Sequence, residues 1–205
     1  MIEQWSQQLR RRFFSNSVVL QTGEGTRLLD IPDQGGIWIV GRDCCAFRSV
    51  DLKSVPAGKV EAVVRTQVQA VSPFSTPGFW YVVQAGVARI WVWDETSRLK
   101  AAAALDFPVD DFLVIPESCF TSATDRPALW ESLSAGYFAQ VWDGDSLLSD
   151  TWWPVLPGAA EWRGFLRGMG QPASDIPAPV KPDTLTLASW TPLRLNPWAS
   201  RSWKS

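Results

Sequence analysis

Apolar residues recur along this chain at two periods, near 3.6 and 2, and the switches between them mark its elements. Ile2, Trp5, Leu9 and Phe13 fall at helical spacing with Arg10, Arg11 and Arg12 beside them. That stripe predicts an amphipathic helix over 2–14, either docked on its own domain or lying on a membrane surface. Short β-branched or aromatic runs follow at 17–21, 26–31, 37–40 and 46–52, separated by Gly23-Glu24-Gly25 and by Pro32-Asp33-Gln34-Gly35-Gly36. Their turn punctuation predicts a meander. Over 59–71, Val60, Val63, Val64, Val68 and Val71 share one helical face. Valine is a weak helix former, so packing has to decide this helix, and Ser72-Pro73 ends it.

Residues 79–84 and 87–94 predict a hairpin about Ala85-Gly86, with both arms rich in Val, Ile, Trp and Tyr. A short alanine-rich helix is expected over 95–104, and a buried strand over 112–116. A second hairpin joins 137–142 to 146–153 through Asp143-Gly144, a dipeptide of the turn type with positive φ at both central positions. A last helix covers 159–169 and stops at Gly170. Residues 171–183 carry four prolines and predict an extended linker. Residues 184–190 offer one more strand. The fold class is therefore α+β, strand-rich. A compact body covers 1–170, with a lobe division near 110, and 171–205 is a proline-rich linker and tail.

Composition narrows the function. The 205 residues include thirteen tryptophans and no histidine. Without histidine, Ser-His-Asp and Cys-His nucleophile systems are excluded, and Ser72 and Ser118 lack a base to activate them. A net charge of −2 gives no bulk attraction to nucleic acid. The three cysteines, two of them adjacent at Cys44 and Cys45, suit a reducing compartment rather than a disulfide framework. No leader-like segment is read at the N-terminus, and no run of eighteen apolar residues spans a bilayer. These features point to an intracellular binding or assembly module rather than an enzyme.

Candidate chemistry is sparse. Neither a P-loop nor a GxGxxG motif occurs. Cys44, Cys45 and Cys119 match no zinc spacing and read as buried thiols. Asp106, Asp110 and Asp111, and the pair Asp143 and Asp145, can hold a cation or act as acid and base, but each also suits a turn. No catalytic, cofactor-binding or metal residue is assigned. Trp91 and Trp93, which share a strand face opposite Trp80, are the candidate partner-binding residues. At the end of the chain, Trp198, Arg201, Trp203 and Lys204 resemble the cytoplasmic flank of a membrane helix; the alternative is a solvated tail.

Three segments resemble the cytoplasmic region of the GspL/PilM-like proteins, inner-membrane platform components of type II secretion and type IV pilus systems. Val55-Pro56, the helix over 60–71 and Ser72-Pro73-Phe74 form the first. FWYVVQAGVARIWVWDE at 79–95 is the second. The third, at 129–170, is a hairpin, then Trp152-Trp153-Pro154, a proline step and a helix with Trp162 and Phe165 at W-x-x-F spacing. The resemblance implies a two-lobed, degenerate actin-like (RNase H-like) fold without ATP hydrolysis. It implies a scaffold that recruits the cytoplasmic secretion or pilus ATPase to the inner membrane, attached through a segment after Ser205, and it allows a homodimer. The chain departs from the family in its compactness and in its long proline linker. The alternatives are a protein–protein adaptor with no membrane link and a nucleotide-binding actin-like protein.

Overall fold

The computed structural model describes residues 18–29, 36–107, 112–182, 188 and 191. The expected helix over 2–14, the acids Asp110 and Asp111, most of the expected strand over 184–190, and Trp198, Arg201, Trp203 and Lys204 lie outside the described residues.

Among the described residues, ten strands in three sheets and three α-helices are found. The first sheet has the order β2-β1-β3-β7, from β1 (Val18–Thr22), β2 (Gly25–Leu29), β3 (Ile37–Val40) and β7 (Leu113–Pro116). β1 and β2 form an antiparallel hairpin, whereas β3 lies parallel to both β1 and β7. The sequences of the parallel strands, VVLQT, IWIV and LVIP, explain this placement: they are almost unbroken apolar runs, as strands covered on both faces must be. β2 takes the edge and leaves Leu28 58% exposed. The expected N-terminal meander is therefore corrected. β3 returns parallel to β1, and β4 (Cys45–Asp51) leaves for another sheet. Turn residues show where a strand ends, not which neighbour the next strand will find.

The second sheet, β4-β6-β5, contains the hairpin of β5 (Pro77–Gln84) and β6 (Val87–Asp94). Ala85 and Gly86 both have positive φ, 48° and 75°, as a two-residue hairpin with the native strand twist requires. Each face of this sheet is apolar. Phe79, Ala88, Ile90 and Val92 pack with Val64 and Val68 of α1 (Val60–Val71). Trp80, Val82, Trp91 and Trp93 turn the other way, into the main core with β1, β3 and β7. The valine-rich helix forms because that apolar sheet covers it. α2 (Glu95–Ala104) follows directly, with the Asp94 carboxylate capping the Thr96 amide at 3.0 Å.

The third sheet, β10-β9-β8, joins β8 (Ala128–Glu131), β9 (Tyr137–Asp143) and β10 (Ser146–Trp153). α3 (Ala159–Gly168) covers its outer face through Trp162 and Leu166 against Leu129 and Ala139. The β9–β10 turn is Gly144-Asp145, one residue later than expected, and of these two only Gly144 has positive φ, at 55°. β8 escaped the sequence reading because four residues, ALWE, carry too little alternation to signal a strand. Val180 extends this sheet by one parallel bridge, donating to the Leu129 carbonyl at 2.9 Å and accepting from the Glu131 amide at 2.8 Å. Among the described residues no helix is long and apolar enough to cross a membrane.

Candidate functional site

The parallel strands β1, β3 and β7 direct their carboxyl ends to one edge of the first sheet, the edge at which open parallel sheets bind ligands. Here that edge is occupied by side chains of the chain itself. After β1, the Gly23 amide donates to Asp43 Oδ2 at 2.8 Å. After β3, the Gly41 amide donates to the Gln21 carbonyl at 2.8 Å. A Cβ at Gly41 would lie 2.6 Å from that carbonyl and 2.7 Å from Ser134 Cβ, so the loops close here only over glycine. After β7 comes Glu117, 1% exposed. Its Oε2 accepts the Arg42 amide and the Ser132 hydroxyl, each at 2.8 Å, with Ser134 Oγ at 3.5 Å; its Oε1 accepts the Leu133 amide. Burial pushes the Glu117 carboxyl above the usual carboxylate range, while the donors from Leu133, Arg42 and Ser132 pull it back. Arg27 of β2 donates to the Leu133 carbonyl, so the β8–β9 turn is gripped from both ends of one residue.

A second polar junction lies beside it. Arg42 Nε pairs with Asp150 Oδ1 at 2.6 Å, with side chains 5% and 0% exposed. Arg42 Nη2 also donates to the Asp150 carbonyl at 2.8 Å, and Nη1 to the Cys45 carbonyl at 2.5 Å. The second oxygen of Asp150 accepts the Trp91 indole N–H at 2.9 Å. A register shift in β10 between Leu147 and Ser149 sits next to this pair. Arg89 of β6 crosses to the same stretch and donates to the Leu147 carbonyl and, at 2.7 Å, to Ser146 Oγ. The second and third sheets are thus joined by arginines and one indole, every one of them satisfied by a carboxylate, hydroxyl or carbonyl of the opposite layer.

This geometry corrects the assignment of Trp91 and Trp93 as a partner surface. Both are 0% exposed. Trp91 donates to Asp150, and Trp93 donates to Glu95 Oε2 at 2.8 Å. Glu95 in turn pairs with the buried Arg98, whose guanidinium lies 5.7 Å from the Trp38 ring centre. The two indoles are core side chains with internal hydrogen-bond partners. A sequence signal for this existed: residues on both faces of the hairpin are apolar, so neither face is left for solvent.

The remaining candidates separate. Burial beside Asp43 pushes the Cys44 thiol up to about 12, and burial holds the Cys45 and Cys119 thiols well above the ordinary thiol value, so all three stay protonated at neutral pH. Asp106, at φ 54°, follows α2. Asp143 and Asp145 flank Gly144 at the β9–β10 turn, where the Asp145 carbonyl accepts Gln84 Nε2 at 2.8 Å. Ser72 closes a turn with Phe74, and Ser118 is buried in the turn after β7. Among the described residues no group of three or more His, Cys, Asp or Glu side chains is placed to hold a metal ion. Glu117, Arg42 and Asp150 were not singled out from sequence. They meet across 75 and 108 residues of chain, and no spacing rule connects them.

Chemically, the strand-end edge resembles an anion site whose donors are already taken. A phosphate brought there meets a filled cradle and the charge of Asp43.

No protein-family model matches the chain, and neither does any curated protein. Among solved structures, it is similar to the cytoplasmic domain of EpsL, an inner-membrane component of the type II secretion system of Vibrio cholerae, with 11% identity over 84% of this chain and 85% of that chain and a TM-score of 0.50. At this identity the likeness is one of fold alone, a strand-rich α+β domain.

Proposed function

We propose that this chain is a non-catalytic cytoplasmic module of a bacterial inner-membrane assembly platform, of the type II secretion kind or its type IV pilus counterpart, and that its partner is the platform's cytoplasmic assembly ATPase. The observation that carries this reading is the shared fold over most of both chains, 84% and 85%. The filled strand-end edge supports it, because a nucleotide would have to displace Glu117 from the Arg42 and Leu133 amides and the Ser132 hydroxyl of its own fold. In this reading residues 1–170 are the partner-binding body. Residues 171–205 carry the proline-rich segment, which stays tied to the body at Val180, Ala188 and Thr191, and the membrane-proximal residues Trp198, Arg201, Trp203 and Lys204.

The test is a titration of the 205-residue chain against the N-terminal region of the assembly ATPase, with Mg-ATP as a separate ligand. Saturable binding to the ATPase and no thermal shift with ATP is the expected result. A ligand at 100 times its dissociation constant stabilises by about 2.7 kcal/mol. A shift of that size with ATP overturns the non-catalytic assignment, and failure to bind the ATPase overturns the platform assignment.

A further inference from the structure

We propose that the turn after β3 and the β8–β9 turn form a carboxyl-binding cradle whose resident ligand is the side chain of Glu117, and that a free monocarboxylate takes its place when that side chain is removed. This goes beyond the platform reading and does not depend on it.

The donor set fits a carboxyl group. Two backbone amides from separate segments address different oxygens, Arg42 to Oε2 and Leu133 to Oε1. The Ser132 hydroxyl donates to Oε2 at 2.8 Å, and the single proton of the Ser134 hydroxyl goes to Ser132 Oγ at 2.7 Å or to Oε2 at 3.5 Å. Backbone amides can only donate, so the group between them must present an acceptor to each. A planar fork with two oxygens does this. The cradle is also held from outside. Arg27 fixes the Leu133 carbonyl, the Arg42 side chain is locked on Asp150, and Gly41 allows Ser134 to close in. Its donors are therefore positioned by contacts that do not involve Glu117, which is the requirement for a site that outlives its occupant. Asp43, whose charge acts on Glu117, disfavours a multiply charged ligand such as phosphate.

Size matching gives the experiment its edge. Truncating Glu117→Ala keeps Cβ and removes a CH2–COO fragment, which is the size of acetate. Truncating Glu117→Gly removes one carbon more, which is the size of propionate. Thermal unfolding of the full chain is followed in sodium acetate, sodium propionate, sodium phosphate and sodium chloride at equal ionic strength. E117A is expected to unfold several degrees below wild type in chloride and to recover part of that loss in acetate. E117G recovers more in propionate than in acetate, phosphate restores neither, and wild type responds to none of the salts.

An E117A chain that is unfolded in chloride and folded in acetate supports the proposal in a stronger form; one that stays unfolded in acetate overturns it. An equal response to acetate and chloride overturns it too, as does a wild-type response as large as that of the variant. Glu117→Gln is the second check, because its NH2 cannot accept from a backbone amide. It is expected to fold with a lowered midpoint, and a midpoint equal to that of wild type overturns the proposal.

Discussion

The layer between α1 and the second sheet and the junction between the second and third sheets are both fully internal, yet they are built from opposite materials. The first is Val64, Val68, Phe79, Ile90 and Val92 in plain apolar contact. The second is Arg42, Arg89, Trp91 and Asp150, held by directed hydrogen bonds. An apolar layer tolerates small shifts, because dispersion and burial fall off gradually. The polar junction does not, because each donor needs one acceptor at one distance. One layer stabilises the fold, while the other fixes how its sheets are set against each other.

The sharpest way to break this contrast is Asp150→Ala. It leaves the Arg42 guanidinium and the Trp91 indole without their carboxylate, and breaking a buried pair from one side costs about 3–5 kcal/mol. Chemical denaturation measures it, and a loss below 1 kcal/mol shows that the junction is not held by this pair. Ile90→Ala tests the apolar layer and is expected to cost about 3 kcal/mol, within the usual range for truncating a buried isoleucine. If it exceeds the Asp150→Ala loss, the ranking of the two regions is reversed.

A smaller effect depends on pH. The folded-state pKa of Glu117 is raised by burial. The unfolded chain therefore ionises first as pH increases, and the stability linked to this carboxyl is fully present below the ordinary glutamate value and lost as pH climbs through the raised one. The stability gap between wild type and Glu117→Gln is expected to be widest in acid and to narrow toward neutrality. A gap that widens with pH contradicts the shift. The smallest change is at the tip of the second sheet: Ala85 holds φ 48°, so Ala85→Asn is expected to add about 1 kcal/mol, since asparagine accepts the left-handed region more readily. A loss on this substitution shows that the turn is not strained.

The apolar layer was legible in the sequence and the polar junction was not, for a physical reason. Five valines at helical spacing, and β-branched and aromatic arms on either side of Ala85-Gly86, declare themselves within a short stretch of chain each. Sheet membership is a long-range matter: β3 could be drawn from its own residues, but nothing in IWIV says that it lies between β1 and β7. The shared face of Trp91 and Trp93 was legible as well; what it faces became visible only with Asp150 and Glu95 in place. The strand-end edge was the least legible feature, because Glu117 follows a proline in an unremarkable IPE and its donors arrive from Arg42 and the 132–134 turn.

The carbonyl of Cys119 accepts both the Ala188 amide at 3.0 Å and the Thr191 hydroxyl at 3.3 Å, and Thr191 is buried. Cys119 sits two residues from Glu117 in the same turn. Tension carried to Thr191, the most C-terminal of the described residues, therefore runs through the Cys119 carbonyl into the turn that carries Glu117.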